Sequence, residues 1–194
     1  VIISSGNVKR DSLLHTNYIE YNRQLMNGEI EPLPDYYVHV EAKDAYTSPL
    51  FKKSMKWAKN RHLPVMILSA KHGALNPKMG IKDYDLKMNQ LSKEEKKDWA
   101  KKVAHEFNLP VPGEENPRVG FEKQNLLYSN ESGIRRVHIL GGQEYVKPLK
   151  KIFEASNIEV IEPLKGMSIG ERLQYLKRDE KAFEELKMTS DDPE

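Results

Sequence analysis

Cysteine is absent from the 194 residues. Its absence removes disulfides, thiolate nucleophiles and cysteine-ligated zinc or iron–sulfur clusters from consideration. Long apolar runs are missing too. No stretch approaches the ~18–20 residues that cross a bilayer, and no secretory signal pattern is visible. These absences set the expectation of a cytoplasmic chain with no membrane partner. Net charge is small, +2, so bulk electrostatics do not force nucleic-acid binding. The histidines, His15, His39, His62, His72, His105 and His138, show no close ligand spacing, so neither a metal nor another cofactor is expected.

What is present is a globular composition, 38% hydrophobic and 31% charged. The length suits one domain with a core of its own. Lysine and arginine gather at residues 52–59, 93–102 and 147–151, and acids concentrate over 179–194. Basic clusters of this kind give a near-neutral chain a cationic face or simply solvate helix surfaces. The expected organisation is a single α/β domain over 1–188 with an insertion at 11–41, then a disordered acidic tail at 189–194. No obligate protein partner is evident.

Short apolar runs punctuate the chain. Val1-Ile2-Ile3, Val65-Met66-Ile67-Leu68, Val137-His138-Ile139-Leu140 and Ile158-Glu159-Val160-Ile161 read as strands buried on both faces of a sheet. Helical periodicity lies between them. Ser48-Pro49 reads as N-cap and first helical residue ahead of Leu50, Phe51, Met55, Trp57 and Ala58. Ser92 with Glu95 forms a capping box, and Trp99, Val103 and Phe107 supply that helix's core stripe. Further helices are expected over 13–26, from Pro148 to Asn157, and after Gly170. Alternation of this kind predicts a three-layer α/β/α fold with a mainly parallel four-stranded central sheet.

The chemically capable residues sit where the predicted strands end. Ser4-Ser5-Gly6-Asn7, with Lys9 and Arg10, follows the first strand. Ser69, Lys71, His72 and Gly73 follow the second, with Tyr84 and Asp85 farther along the same loop, and Gly141-Gly142-Gln143-Glu144-Tyr145 follows the third. Ligands of open α/β sheets collect beyond the carboxyl ends of the strands, so convergence of these clusters is the main pointer to a site. Asp44 and Tyr46 precede the Ser48-capped helix, whose N-terminus favours an anion.

At these residues a resemblance appears. Leu68-Ser69-Ala70-Lys71-His72-Gly73 followed by Tyr84-Asp85-Leu86 resembles the bacterial YaaA-like proteins, with their Leu-Ser-x-x-x-Gly turn and later Pro-Tyr-Arg-Leu. The chain looks closer still to a small family of bacterial and phage domains. These share the opening strand with serine and lysines, a Tyr-x-Ser-Pro-Leu-Phe helix start, Ser-Ala-Lys-His-Gly, and a late glycine-rich turn, here residues 3–9, 46–51, 69–73 and 166–170. Ser5-Gly6-Asn7 stands where a more basic run belongs, and the 11–41 segment is enlarged. The resemblance implies a sheet similar to uracil-DNA glycosylases, a DNA partner, and excision of a modified base, as in anti-phage DNA glycosylases.

Base excision requires a flipped nucleotide, a carboxylate or amide to orient water, a donor for the leaving base and contacts to phosphate. On that reading Asp44 or Asp85 supplies the carboxylate, Asn7 positions water or reads a base edge, and His72 donates to the departing base. Ser4, Gly6, Tyr46, Ser48, Ser69, Lys71, Gly73, Tyr84, Gly141, Gly142, Gln143 and Tyr145 line the substrate. Lys9, Arg10, Lys52 and Lys53 meet phosphate. Two other readings compete: a non-catalytic DNA-binding protein of the YaaA type, and an N-glycosidase or ribosyltransferase acting on a free nucleotide or nucleoside.

Overall fold

In the computed structural model of the chain, residues 1–4, 27–28, 40–81, 84–111 and 133–190 are described, the side chains of 187–190 excepted. The expected insertion at 11–41 and the expected helix at 13–26 lie mostly outside them.

The described chain alternates strand and helix. β1 (Ile2–Ser4), β2 (Val40–Glu41), α1 (Ala42–Ala45) and α2 (Pro49–Asn60) come first, then β3 (Met66–Ser69), β4 (Gly73–Leu75) and β5 (Gly80–Ile81). After these come α3 (Lys93–Glu106), β6 (Arg136–Leu140), α4 (Gln143–Ala155), β7 (Glu159–Ile161) and α5 (Ile169–Ser190). The four strands expected from sequence lie side by side in parallel, in the order β3-β1-β6-β7. A fifth, β4, adds antiparallel to β3 at the edge, so the sheet is mixed and five-stranded. Its three residues, Gly73-Ala74-Leu75, are too short and too glycine-led to show a strand pattern. A separate two-stranded ribbon pairs β2 with β5.

Register explains the layers. Ile2 pairs with Met66 and Ile139, while Ile3 pairs with Ile67 and Leu140. Successive side chains on a strand point to opposite faces, so each row feeds a different core. Ile2, Met66, Leu68 and Ile139 pack under Trp99 and Val103 of α3 and Leu149 and Phe153 of α4. Ile3, Ile67, Leu75 and Leu140 pack under Phe51, Trp57 and Ala58 of α2 and Leu176 of α5. This is the expected α/β/α sandwich. Trp99, Val103 and Phe107 are all buried, as their spacing required.

The helix signals also hold. Ser48 Oγ accepts the Phe51 N–H at 3.2 Å with Pro49 at the first helical position. Ser92 and Glu95 exchange both bonds of the capping box. At the other end, α5 runs through Ser190, so Thr189 and Ser190 are helical where a disordered tail was expected. Residues 191–194 lie outside the described part. Among the described residues no helix is long and apolar enough to cross a membrane.

Candidate functional site at the carboxyl edge of the sheet

The Ser69–Gly73 motif forms a tight hairpin, where an open strand-end loop was expected. β3 ends at Ser69, the chain turns through Ala70, Lys71 and His72, and Ser69 pairs with Gly73 as β4 begins. Ser69 Oγ accepts the His72 N–H at 3.0 Å, closing the turn from inside. Gly73 has φ +81°, the left-handed region that glycine enters without steric cost.

Tyr84 returns across this hairpin. Its hydroxyl lies 2.7 Å from Ser69 Oγ and 2.6 Å from the Tyr46 hydroxyl, so three buried hydroxyls form one hydrogen-bonded chain. Buried polar groups joined in this way polarise one another and fix each other's positions. The His72 ring meets Tyr84 edge-on at 5.0 Å, and Lys71 Nζ lies 5.6 Å above the Tyr84 ring. Tyr46 is also tilted against Phe51 at 5.3 Å. The structure thus brings together Tyr46, Ser69, Lys71, His72 and Tyr84 from three separate stretches. Ser69 itself is wholly buried, so it anchors the turn and hydroxyl chain from within.

A second group forms at β1 and β6. The chain leaves β1 for β3 on one side, and β6 and β7 lie on the other. Strand order therefore reverses between β1 and β6, the place where doubly wound sheets open a crevice. Gly141 lies so close to Ser4 there that a Cβ at Gly141 would come within 3.1 Å of Ser4 Cβ and Oγ. Gly142 is the N-cap of α4 without a side chain to cap it, which leaves the first N–H groups of that helix to other partners. Gln143 Nε2 donates to Glu162 Oε2 at 2.9 Å, and the Tyr145 ring meets Trp99 edge-on at 5.6 Å. The β3 and β7 tips lie about 14 Å apart across this edge by ordinary strand spacing.

Other candidates fall elsewhere. Asp44, in the one-turn α1, and Asp85, beside buried Tyr84, are both exposed, and Lys87 lies 4.0 Å from Asp85. Lys52 is exposed on the first turn of α2. Lys53 is committed to Glu180 at 3.1 Å. Gly6, Asn7, Lys9 and Arg10 lie outside the described residues. Among the described residues no three histidine, aspartate or glutamate side chains gather as a metal-binding group.

Residues 36–121 and 123–178 match a family of unknown function, DUF6884. The chain belongs to this family. No curated protein and no solved structure matches it. In this DUF6884 member, two carboxylates absent from the sequence-derived candidates stand at or behind the edge. Glu162 follows β7 with a side chain only 8% exposed, held by Gln143 and by Lys150 at 3.3 Å, with Lys165 at 3.8 Å. Burial pushes its carboxyl up, but the Gln143 and Lys150 hydrogen bonds and the Lys165 charge outweigh it and hold it below the usual range. Glu106, in the last turn of α3, accepts the Ala74 N–H at 2.5 Å. Burial raises that carboxyl to about 7, against the opposing pull of the Ala74 hydrogen bond and Lys102. Glu162 was findable as an acid directly after a predicted strand. Glu106 reads in sequence as one more polar residue on a charged helix.

Proposed function

We propose that this chain hydrolyses an N-glycosidic bond, with a modified nucleotide in DNA, flipped out of the stack, as substrate. The observation that carries the reading is the Tyr46–Tyr84–Ser69 hydroxyl chain with Lys71 and His72 on the turn beside it. The buried tyrosines form the wall behind the turn, the exposed Lys71 suits a phosphate, and the imidazole on the same turn suits proton delivery to the departing base. Asp44 and Asp85, open to solvent next to Tyr46 and Tyr84, are the carboxylates able to meet a sugar arriving from outside. The likeness of the Ser-Ala-Lys-His-Gly motif to the small family of bacterial and phage domains, with relatives that act as anti-phage DNA glycosylases, supports the same chemistry. In defence against phage, a modified base would mark the DNA to be cut.

One observation favours a free nucleotide or nucleoside instead. Lys53 and Lys56, part of the basic run at 52–59, are paired with Glu180 and Glu184 and so offer less to a phosphate backbone. A single experiment separates the readings. The protein is incubated with phage DNAs carrying ordinary and modified bases, and in parallel with the matching free nucleosides, and released bases are identified by mass spectrometry. Release of one base from DNA, with alkali-labile sites that vanish in Asp44→Ala or Asp85→Ala and in His72→Ala, is the expected result. Release only from nucleosides moves the substrate to the small molecule. DNA binding without release from any substrate overturns the enzyme reading in favour of a non-catalytic DNA-binding protein.

A further inference from the structure

The turn bearing Lys71 and His72 is gripped from behind by one helix at two points. Trp99 Nε1 donates to the Ser69 carbonyl at 2.8 Å, on the arm entering the turn. Glu106 Oε2 accepts the Ala74 N–H at 2.5 Å, on the arm leaving it. Residues 99 and 106 are about two helical turns apart and share a face of α3, so a rigid rod fixes both arms together. The second grip depends on Gly73. A Cβ there would lie 2.5 Å from Glu106 Oε2 and 2.7 Å from Oε1, so the carboxyl fills the space that any side chain would take. The glycine of the Ser-Ala-Lys-His-Gly motif and a glutamate more than thirty residues later are two halves of one device.

We propose that Glu106 is the positioning residue of the Lys71–His72 turn, and that its protonation state tunes how firmly the turn is held. A purely structural acceptor has no need of an acid here. A glutamine would offer the same oxygen to Ala74 without burying a charge beside the negative end of a helix. Among the described residues the groups facing the carboxyl are few. Lys102 lies one turn back on α3, and burial together with the Ala74 bond and Lys102 sets its pKa at about 7. β4 contributes Gly73, Ala74 and Leu75, none titratable, and the turn before it carries Lys71 and His72, whose side chains lie against the Tyr84 ring. Above this value the ionised oxygen makes the stronger bond to the Ala74 N–H, but the raised pKa means that burying the charge outweighs this gain, so the turn is held less firmly. Below it, the neutral carboxyl stays buried beneath Gly73 without that cost and holds the turn more firmly.

The inference takes from the proposed reaction only which turn matters, and its test needs no substrate. The probe is the Ala74 amide of the full chain, followed by NMR shift and hydrogen exchange, with Trp99 fluorescence as a second reporter at the other grip. Expected for the unaltered protein is an Ala74 shift that titrates with a midpoint near 7. His72→Gln keeps this titration, which separates it from the imidazole. Glu106→Gln abolishes it while preserving Ala74 protection, and Glu106→Ala speeds Ala74 exchange about tenfold, the loss of roughly one hydrogen bond. An Ala74 amide that does not titrate, or one whose titration survives Glu106→Gln, overturns the proposal; these two readings stand even if the alanine variant fails to fold. Should base release be observed, its pH profile should lose the same step in Glu106→Gln. If no base is released from any substrate, the proposed reaction fails while the Ala74 result still decides this inference.

Discussion

At the scale of single residues, Tyr84 links Ser69, Tyr46, His72 and Lys71. Its hydroxyl serves both Ser69 and Tyr46, and its ring serves His72 and Lys71. Tyr84→Phe keeps the ring and removes the hydrogen bonds to Ser69 Oγ and to the Tyr46 hydroxyl, which costs about 1–3 kcal/mol. The expected result is a lower urea midpoint with an unchanged slope, because the fold and the surface exposed on unfolding remain the same. The residue scale is also where the sequence was least legible. Ser69 and Gly73 stood out as strand-end groups, yet which atoms they meet depends on Tyr84, Trp99 and Glu106, fifteen to more than thirty residues away. No local pattern reports a contact at that separation.

At the scale of elements, the clearest case is the pairing of α2 with α5. Arg61 reaches Asp179 with two bonds, at 2.9 and 2.5 Å, and its guanidinium lies 4.1 Å over the Trp57 ring. Lys53 and Lys56 share Glu180, and Lys56 also meets Glu184. Lys53 and Lys56 of the basic run at 52–59 thus find their partners in Glu180 and Glu184 of the acidic run at 179–194, a pairing between two stretches that were read separately. Arg61→Ala removes the stacked and bidentate contacts together and should cost about 1–3 kcal/mol, with a double-mutant cycle against Asp179→Ala isolating the ion pair. Within a single element the sequence was far more informative. Both serine caps were plain because a cap and its partner lie three residues apart, and Ser92→Ala should lower stability by about 1 kcal/mol in a denaturant titration.

At the scale of the whole molecule, two dependences follow. Glu106 has a folded-state pKa raised from 4.5 to about 7, so the folded chain holds this proton more tightly than the unfolded chain does. Its contribution to stability is therefore fully present below pH 4.5 and is lost as pH rises towards 7. Thermal unfolding midpoints should fall across that window, and Glu106→Gln should flatten the fall. Glu144, Glu162 and Glu180, whose carboxyls are held below the usual range by lysine and glutamine partners, act the opposite way and only at lower pH. The second dependence concerns salt. If DNA lies along the start of α2, Glu180→Gln frees Lys53 and should steepen the slope of log binding constant against log salt by about 1. An unchanged slope places the DNA path elsewhere.

The four parallel strands and the capped helices α2 and α3 were determined by sequence alone, because burial on two faces selects apolar runs and caps act within one helical turn. The four parallel strands, both serine caps and the core stripe of α3 all followed from neighbours in the chain. Only the tertiary structure decided the rest. It added β4, too short to carry a pattern, and so made a hairpin of the Ser69–Gly73 motif. It left Asp44 and Asp85 in solvent and set Glu106 beneath Gly73, because burial and charge pairing depend on which distant residues the sheet order brings together.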